Sequence, residues 1–144
     1  MLQVRSKLDQ SAVVWHSSIT KKNRGDLERI QKSALKVILG EKYESYKDAL
    51  KMIGIDSLEQ RREKLSLKFA KQCLGHEKLK GLFPRHERRH NMEKRNHEKY
   101  IVTNAKTERY RKSAIPSMQR LLNKSEREKS EIMKRIKNYC PSEL

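Results

Sequence analysis

Three times within its first 75 residues the chain repeats apolar side chains at steps of three and four and then stops on a glycine. Leu27, Ile30, Ala34, Val37 and Ile38 run to Gly40; Tyr46, Ala49, Leu50 and Ile53 run to Gly54. Leu58, Leu65, Phe69 and Cys73, with Leu67, Ala70 and Leu74 beside them, run to Gly75. Such spacing puts one face of a helix on a core, and a glycine just beyond it is a helix stop. The starts are marked too. Asn23 precedes Asp26, Ser45 precedes Asp48 and Ser57 precedes Gln60, each at the spacing of a capped first turn. A weaker stripe, Val4, Leu8, Ala12, Trp15 and Ile19, predicts one more helix over 3–18. No strong alternating run competes, so the first half reads as helical.

The second half is built differently. Between 85 and 99 the only apolar side chain is Met92, so this stretch reads as a solvated loop or linker unless a partner orders it. Tyr100, Ile101 and Val102 suggest a brief extended piece. Helical period returns over 117–138, first through Met118, Leu121 and Leu122, later through Ile132, Met133 and Ile136. The polar run "NKSEREKSE" between those clusters has little to pack, so part of this helix is expected in solvent. The fold class is therefore mainly α: a small helical bundle with a basic, poorly packed loop and an extended C-terminal helix. A helical domain of about four helices is expected over 1–83, a basic linker or loop over 84–112 and the C-terminal helix over 113–144.

Charge narrows the partner. Thirty-five Lys and Arg stand against 18 Asp and Glu, a net charge of +17. Such an excess repels itself and calls for a polyanion, with nucleic acid ahead of an acidic membrane. No basic amphipathic face opens or closes the chain, and no apolar run reaches the roughly 20 residues that span a bilayer. Cys73 and Cys140 suggest neither a disulfide framework nor a zinc knuckle and fit a reducing compartment, so an intracellular location, nuclear or cytoplasmic, is expected. The N-terminus is too charged and broken for a secretory signal.

The densest basic stretch is 85–112, whose candidate contacts are Arg88, Arg89, Lys94, Arg95, Lys99, Arg109, Arg111 and Lys112, with Tyr100 and Tyr110 interleaved. Cations grip phosphates and flat rings stack on bases, the combination that single-stranded or hybrid nucleic acid demands. A second set comprises Arg61, Arg62, Lys64, Lys68 and Lys71, expected largely opposite the Leu65–Phe69–Cys73 stripe, together with Lys21, Lys22 and Arg24 at a helix start. For the helix at 57–74 an ordinary solvated face explains the charges equally well.

One motif argues for chemistry instead. His86-Glu87-Arg88-Arg89-His90 matches the H-E-x-x-H pattern of zinc proteases. Two arginines between the ligands oppose a cation, a third ligand is missing where the longer pattern wants it, and the match lies in the most polar part of the chain. A structural zinc on Cys73, His76, His86 and His90 has workable spacing, but Cys73 is explained more simply as a small core residue. Asp9, Asp26, Asp48 and Asp56 are dispersed, no glycine-rich phosphate loop exists, and no cofactor or metal is expected.

Four stretches, "RSKLDQSAVVWHSSIT" (5–20), "DLERIQKSALKVILG" (26–40), "YESYKDALKMIGIDSLEQRREKLSLKFAKQC" (43–73) and "RNHEKYIVTNAKTERYRKSAIPSMQRLLN" (95–123), resemble the C-terminal region of reverse transcriptases from Jockey-like non-LTR (LINE-type) retrotransposons. The resemblance implies a fragment lying beyond the polymerase palm and thumb, with the catalytic aspartates upstream. No Asp-Asp pair occurs here, so no polymerase residue carries over. Helical support of a thumb and contact with template RNA or target DNA are what it implies, with the upstream polymerase domains as partners. Met1 opens inside what the family has as an internal segment, as in a degenerate or truncated copy whose apolar faces have lost their cover. Low stability alone is then expected. Residues 124–144 resemble nothing identifiable. The expectation is a non-catalytic fragment that contacts RNA or an RNA/DNA hybrid; the alternative is a helical protein-interaction scaffold.

Overall fold

A computed structural model describes residues 6, 7, 9–86 and 99–139, with residues 137 and 138 described by backbone alone. The chain is mainly helical. Seven helices are described: α1 (Ala12–Trp15), α2 (Lys21–Leu39), α3 (Tyr46–Ile53), α4 (Leu58–Gly75), α5 (Glu77–Lys80), α6 (Glu108–Arg111) and α7 (Ala114–Tyr139). A single 3₁₀ turn, Gly40–Lys42, follows α2. Among the described residues there is no strand, only an isolated antiparallel bridge between Arg85 and Tyr100. Two compact units emerge, Met1–Lys68 and Phe69–Leu144, and the division falls inside α4.

The helix ends follow local chemistry. Ser45 caps α3 by accepting from the Asp48 N–H at 3.2 Å. Ser57 and Gln60 exchange side chain and backbone reciprocally at 3.2 and 3.4 Å, a capping box before α4. Gly54 stands left-handed at φ +69°, and the Ile55 N–H returns to the Leu50 carbonyl at 3.0 Å, closing α3. One start is displaced from expectation. Helix α2 begins at Lys21, capped by Thr20, whose hydroxyl accepts from the Asn23 N–H at 3.2 Å. Asn23 is thus inside the first turn rather than before it.

In the first unit Ala12, Leu35, Ala49 and Leu58 are buried, and α2 contacts α3. The buried row of α2 is Gln31 and Leu35, whereas Ile30, Val37 and Ile38 of the expected stripe remain exposed. Gln31 is admitted because its amide donates to the Tyr46 hydroxyl and the Asp56 carbonyl, each at 3.2 Å.

The second unit buries Ala70, Cys73, Phe83, Tyr100, Met118 and Leu122. Pro116 in the first turn of α7 costs no helical hydrogen bond, since the N–H it lacks is among those left unpaired there. Two amides one turn apart then organise the irregular chain before α7. Asn123 accepts from the Tyr100 N–H and donates to the Tyr100 carbonyl, both at 2.9 Å. Gln119 accepts from the Thr103 N–H at 2.8 Å and donates to the Leu82 carbonyl at 2.8 Å. For Tyr100, Asn123 does what a neighbouring strand would do, while Gln119 ties Thr103 to Leu82. Beyond Glu126 the described side chains of α7 are exposed, Ile132, Met133, Ile136 and Tyr139 included.

Candidate nucleic-acid interface

Helix α4 departs from the expected arrangement. Its buried row is Leu58, Arg62, Ser66, Ala70 and Cys73, and Phe69 is 42% exposed. Arg62, expected on the solvent side with Arg61 and Lys64, is instead 0% exposed, at the centre of the buried row. Its guanidinium lies over the Trp15 ring, 5.5 Å from the centroid, a cation–π stack that covers one face. The indole N–H donates to the Gln10 carbonyl at 2.9 Å, which fixes the ring.

A cluster of charges surrounds this stack within the first unit. Asp9 pairs with the neighbouring Arg61 through Nε. Arg24 Nη1 donates to Glu59 Oε1 at 2.9 Å. Glu28 accepts the Glu59 N–H at 2.9 Å, setting a carboxylate at the positive end of α4, and also accepts the Tyr46 hydroxyl. Burial pushes the pKa of Arg62 down, and Glu28, Asp9 and Glu59 oppose that push. Three arginines and three carboxylates therefore balance.

His16, 6% exposed, is held neutral inside the cluster. Its pKa falls to about 4, first through burial and then through the positive charges of Arg62 and Arg24. Several buried atoms nevertheless have no hydrogen-bond partner among the described residues: Asp9 Oδ1, His16 Nδ1, Arg24 Nε and all three guanidinium nitrogens of Arg62.

The remaining cations of this unit are more open. Lys21, Lys22 and Lys68 are exposed and make no ion pair among the described residues. The first turn of α2 carries Lys21 and Lys22 with no acid to offset them. This sign opposes the helix dipole and concentrates positive potential where backbone N–H groups also point outward. Lys64 is paired with Asp56 at 2.7 Å, and Lys71, in the second unit, is exposed.

The second unit carries the other candidates. Lys99 pairs with Glu126 at 2.8 Å, and Glu126 also reaches Lys129 at 3.1 Å. Arg111 grips Glu108 through two nitrogens at 2.6 and 2.9 Å, and Lys112 adds a contact at 3.1 Å. The hydrogen bonds from Arg111 and then Lys112 hold the Glu108 carboxyl at about 2. Arg109 is exposed without an ion pair among the described residues. Tyr110, on α6, is 47% exposed. Tyr100 is instead buried, with Arg85 over its ring at 5.5 Å, so the base-stacking role expected of it is withdrawn. Arg88, Arg89, Lys94 and Arg95 lie outside the described residues, as do Glu87 and His90 of the zinc-like motif. Among the described residues no group of three or more His, Cys, Asp or Glu is placed to hold a metal ion, and Cys73 sits in the buried row of α4.

Sequence reasoning missed the Trp15–Arg62 stack, for which the only signal is that Arg62 falls four residues after Leu58 and four before Ser66. It also missed Gln119 and Asn123, whose signal is a pair of amides flanking Leu122 on a helix. No family model, curated protein or solved structure matches this chain.

Proposed function

We propose that the chain is a non-catalytic, nucleic-acid-contacting region that engages RNA or an RNA/DNA hybrid through exposed cations. The observation that carries this is the charge surplus. With 35 cationic side chains and 18 carboxylates, seventeen cations stay uncompensated even if every carboxylate is paired. Lys21, Lys22, Lys68 and Arg109 are exposed members of that surplus, and Tyr110 offers a ring beside Arg109. The resemblance of four segments to the C-terminal region of Jockey-like non-LTR reverse transcriptases supports the same reading. It supplies the context as well: a piece that acts beside upstream polymerase domains and leaves catalysis to them.

The test is the salt dependence of binding to a single-stranded RNA and to an RNA/DNA hybrid. Neutralising about four phosphates gives a log–log slope near −3, so affinity drops roughly 50-fold between about 50 and 200 mM salt. Replacing Lys21, Lys22, Lys68 and Arg109 by Gln flattens the slope by about 0.7 for each phosphate no longer neutralised. Binding that is indifferent to salt refutes the reading.

A second reading, a helical protein-interaction scaffold, draws on Ile132, Met133, Ile136 and Tyr139, apolar and exposed on the second half of α7. Salt-insensitive capture of a protein partner, abolished on replacing Ile132 and Ile136 by Ser, would favour it.

A further inference from the structure

Residues 9–16 lay two groups on two consecutive arginines of α4. The Asp9 carboxylate sits on the Arg61 guanidinium, and the Trp15 ring covers the Arg62 guanidinium. An anionic oxygen on one arginine and a flat π-face on the next are the two contacts that a nucleotide offers, through its phosphate and its base. Asp9 and Trp15 thus present nucleotide chemistry from within the chain.

This arrangement is not a comfortable one for the protein. Arg62 is fully buried while Nε, Nη1 and Nη2 find no acceptor among the described residues, and His16 beside it is buried with Nδ1 unpaired among them. Asp9 keeps one buried oxygen without a partner among the described residues. Ser11, in the middle of the segment, is held left-handed at φ +50°, a conformation that residues with a side chain adopt at a cost. Buried donors without acceptors and a strained backbone both favour release, while the cation–π stack and the Asp9–Arg61 pair favour closure.

We propose that Arg61 and Arg62 form a nucleotide-sized site for single-stranded nucleic acid, phosphate on Arg61 and base on Arg62, which residues 9–16 occupy in cis as an internal competitor. The inference rests on the nucleic-acid reading above and deepens it by naming a site and what blocks it. Arg24, paired with Glu59 in the same cluster, is the next cation for an adjoining phosphate. Opening exchanges the carboxylate for a phosphate and the indole for a base, and gives the Arg62 nitrogens access to oxygen acceptors.

The experiment uses the full chain and an oligouridylate of about ten nucleotides, long enough to cover the site sizes usual for single strands. Trp15 is the single tryptophan, so its emission reports on the segment without a label. In the wild type, emission shifts as oligouridylate binds and saturates together with fluorescence anisotropy of the labelled RNA. Asp9→Asn, with helicity unchanged by circular dichroism, binds about tenfold more tightly because a charged competitor is gone. Adding Arg61→Gln or Arg62→Gln to Asp9→Asn returns affinity to the wild-type level or below.

Wild-type binding with Trp15 emission unmoved at saturation overturns the inference and leaves the nucleic-acid reading standing. A folded Asp9→Asn that gains no affinity overturns it in the same way. If Asp9→Asn does not fold, the wild-type emission alone decides. No binding by any variant at low salt overturns both readings.

Discussion

The two units bury polar side chains in opposite styles. In the second unit the buried groups are neutral amides: Asn123 meets both backbone atoms of Tyr100, and Gln119 meets Thr103 and Leu82. Donor and acceptor of each amide are used. In the first unit Arg62 is buried as a charge, and it, Asp9, the neutral His16 and the Gln31 amide retain atoms without a hydrogen-bond partner among the described residues. A satisfied neutral pair stabilises and specifies one conformation; a charge-balanced but incompletely bonded cluster holds together with less to lose on opening. Rigidity is thus concentrated in the amide clamp, whereas the cluster around Arg62 keeps unused bonding capacity among the described residues.

The sharpest way to break this contrast is Asn123→Leu. It leaves the N–H and carbonyl of Tyr100 buried and unpaired, a loss of about 2–4 kcal/mol at the usual penalty per group. Urea unfolding of the second unit should show it, and a change under about half a kcal/mol would mean the clamp contributes little.

A smaller effect is expected from acid. The His16 pKa is about 4 folded, below its ordinary value of 6.5, so the unfolded chain takes up the proton first as pH falls. The stability contributed by neutral His16 is complete above pH 6.5 and declines progressively towards pH 4. At pH 5 the loss is about 2 kcal/mol. His16→Gln removes that portion of the pH dependence, as seen in melting curves across this range. The amide clamp has no titrating group, so Tyr100 amide exchange, corrected for intrinsic rates, should not follow the same curve.

The smallest change is expected from Arg62→Met. An apolar side chain of similar length removes three buried donors without acceptors among the described residues but also the stack on Trp15 and one charge of the balanced cluster, so gain and loss offset and the net change is within about 1 kcal/mol. A loss of several kcal/mol would show the first-unit cluster to be as firmly bonded as the second-unit clamp, and the contrast would collapse.

Much of the helical framework is legible in the sequence because caps and stops act over three or four residues. Ser45, the Ser57–Gln60 pair, Gly40 and Gly54 all mark boundaries that the folded chain uses. The start of α2 is harder to place because its first turn has no apolar residue for periodicity to register, so Thr20 and Asn23 both look able to cap. The face of α4 misleads for a different reason. Charge ordinarily signals solvent, and only the arrival of Trp15, 47 residues earlier in sequence, makes room for Arg62 inside. Tyr100 likewise reads as a free ring, and its burial depends on Asn123, 23 residues away. Among the candidate contacts, sequence distinguishes none of the paired cations, such as Arg111 and Lys99, from the open ones, such as Lys68 and Arg109. That distinction depends on which carboxylate each side chain meets after folding.

The exposed row on α7 carries a consequence for handling the purified material. At low ionic strength the seventeen surplus charges keep copies apart, and Ile132, Met133, Ile136 and Tyr139 stay solvated. Raising electrolyte shrinks the repulsive range to roughly a nanometre or less, while sulfate salts strengthen apolar contact. Clumping should therefore begin at high ionic strength, so a titration with sodium chloride needs light scattering alongside it to keep coagulation from passing as dissociation.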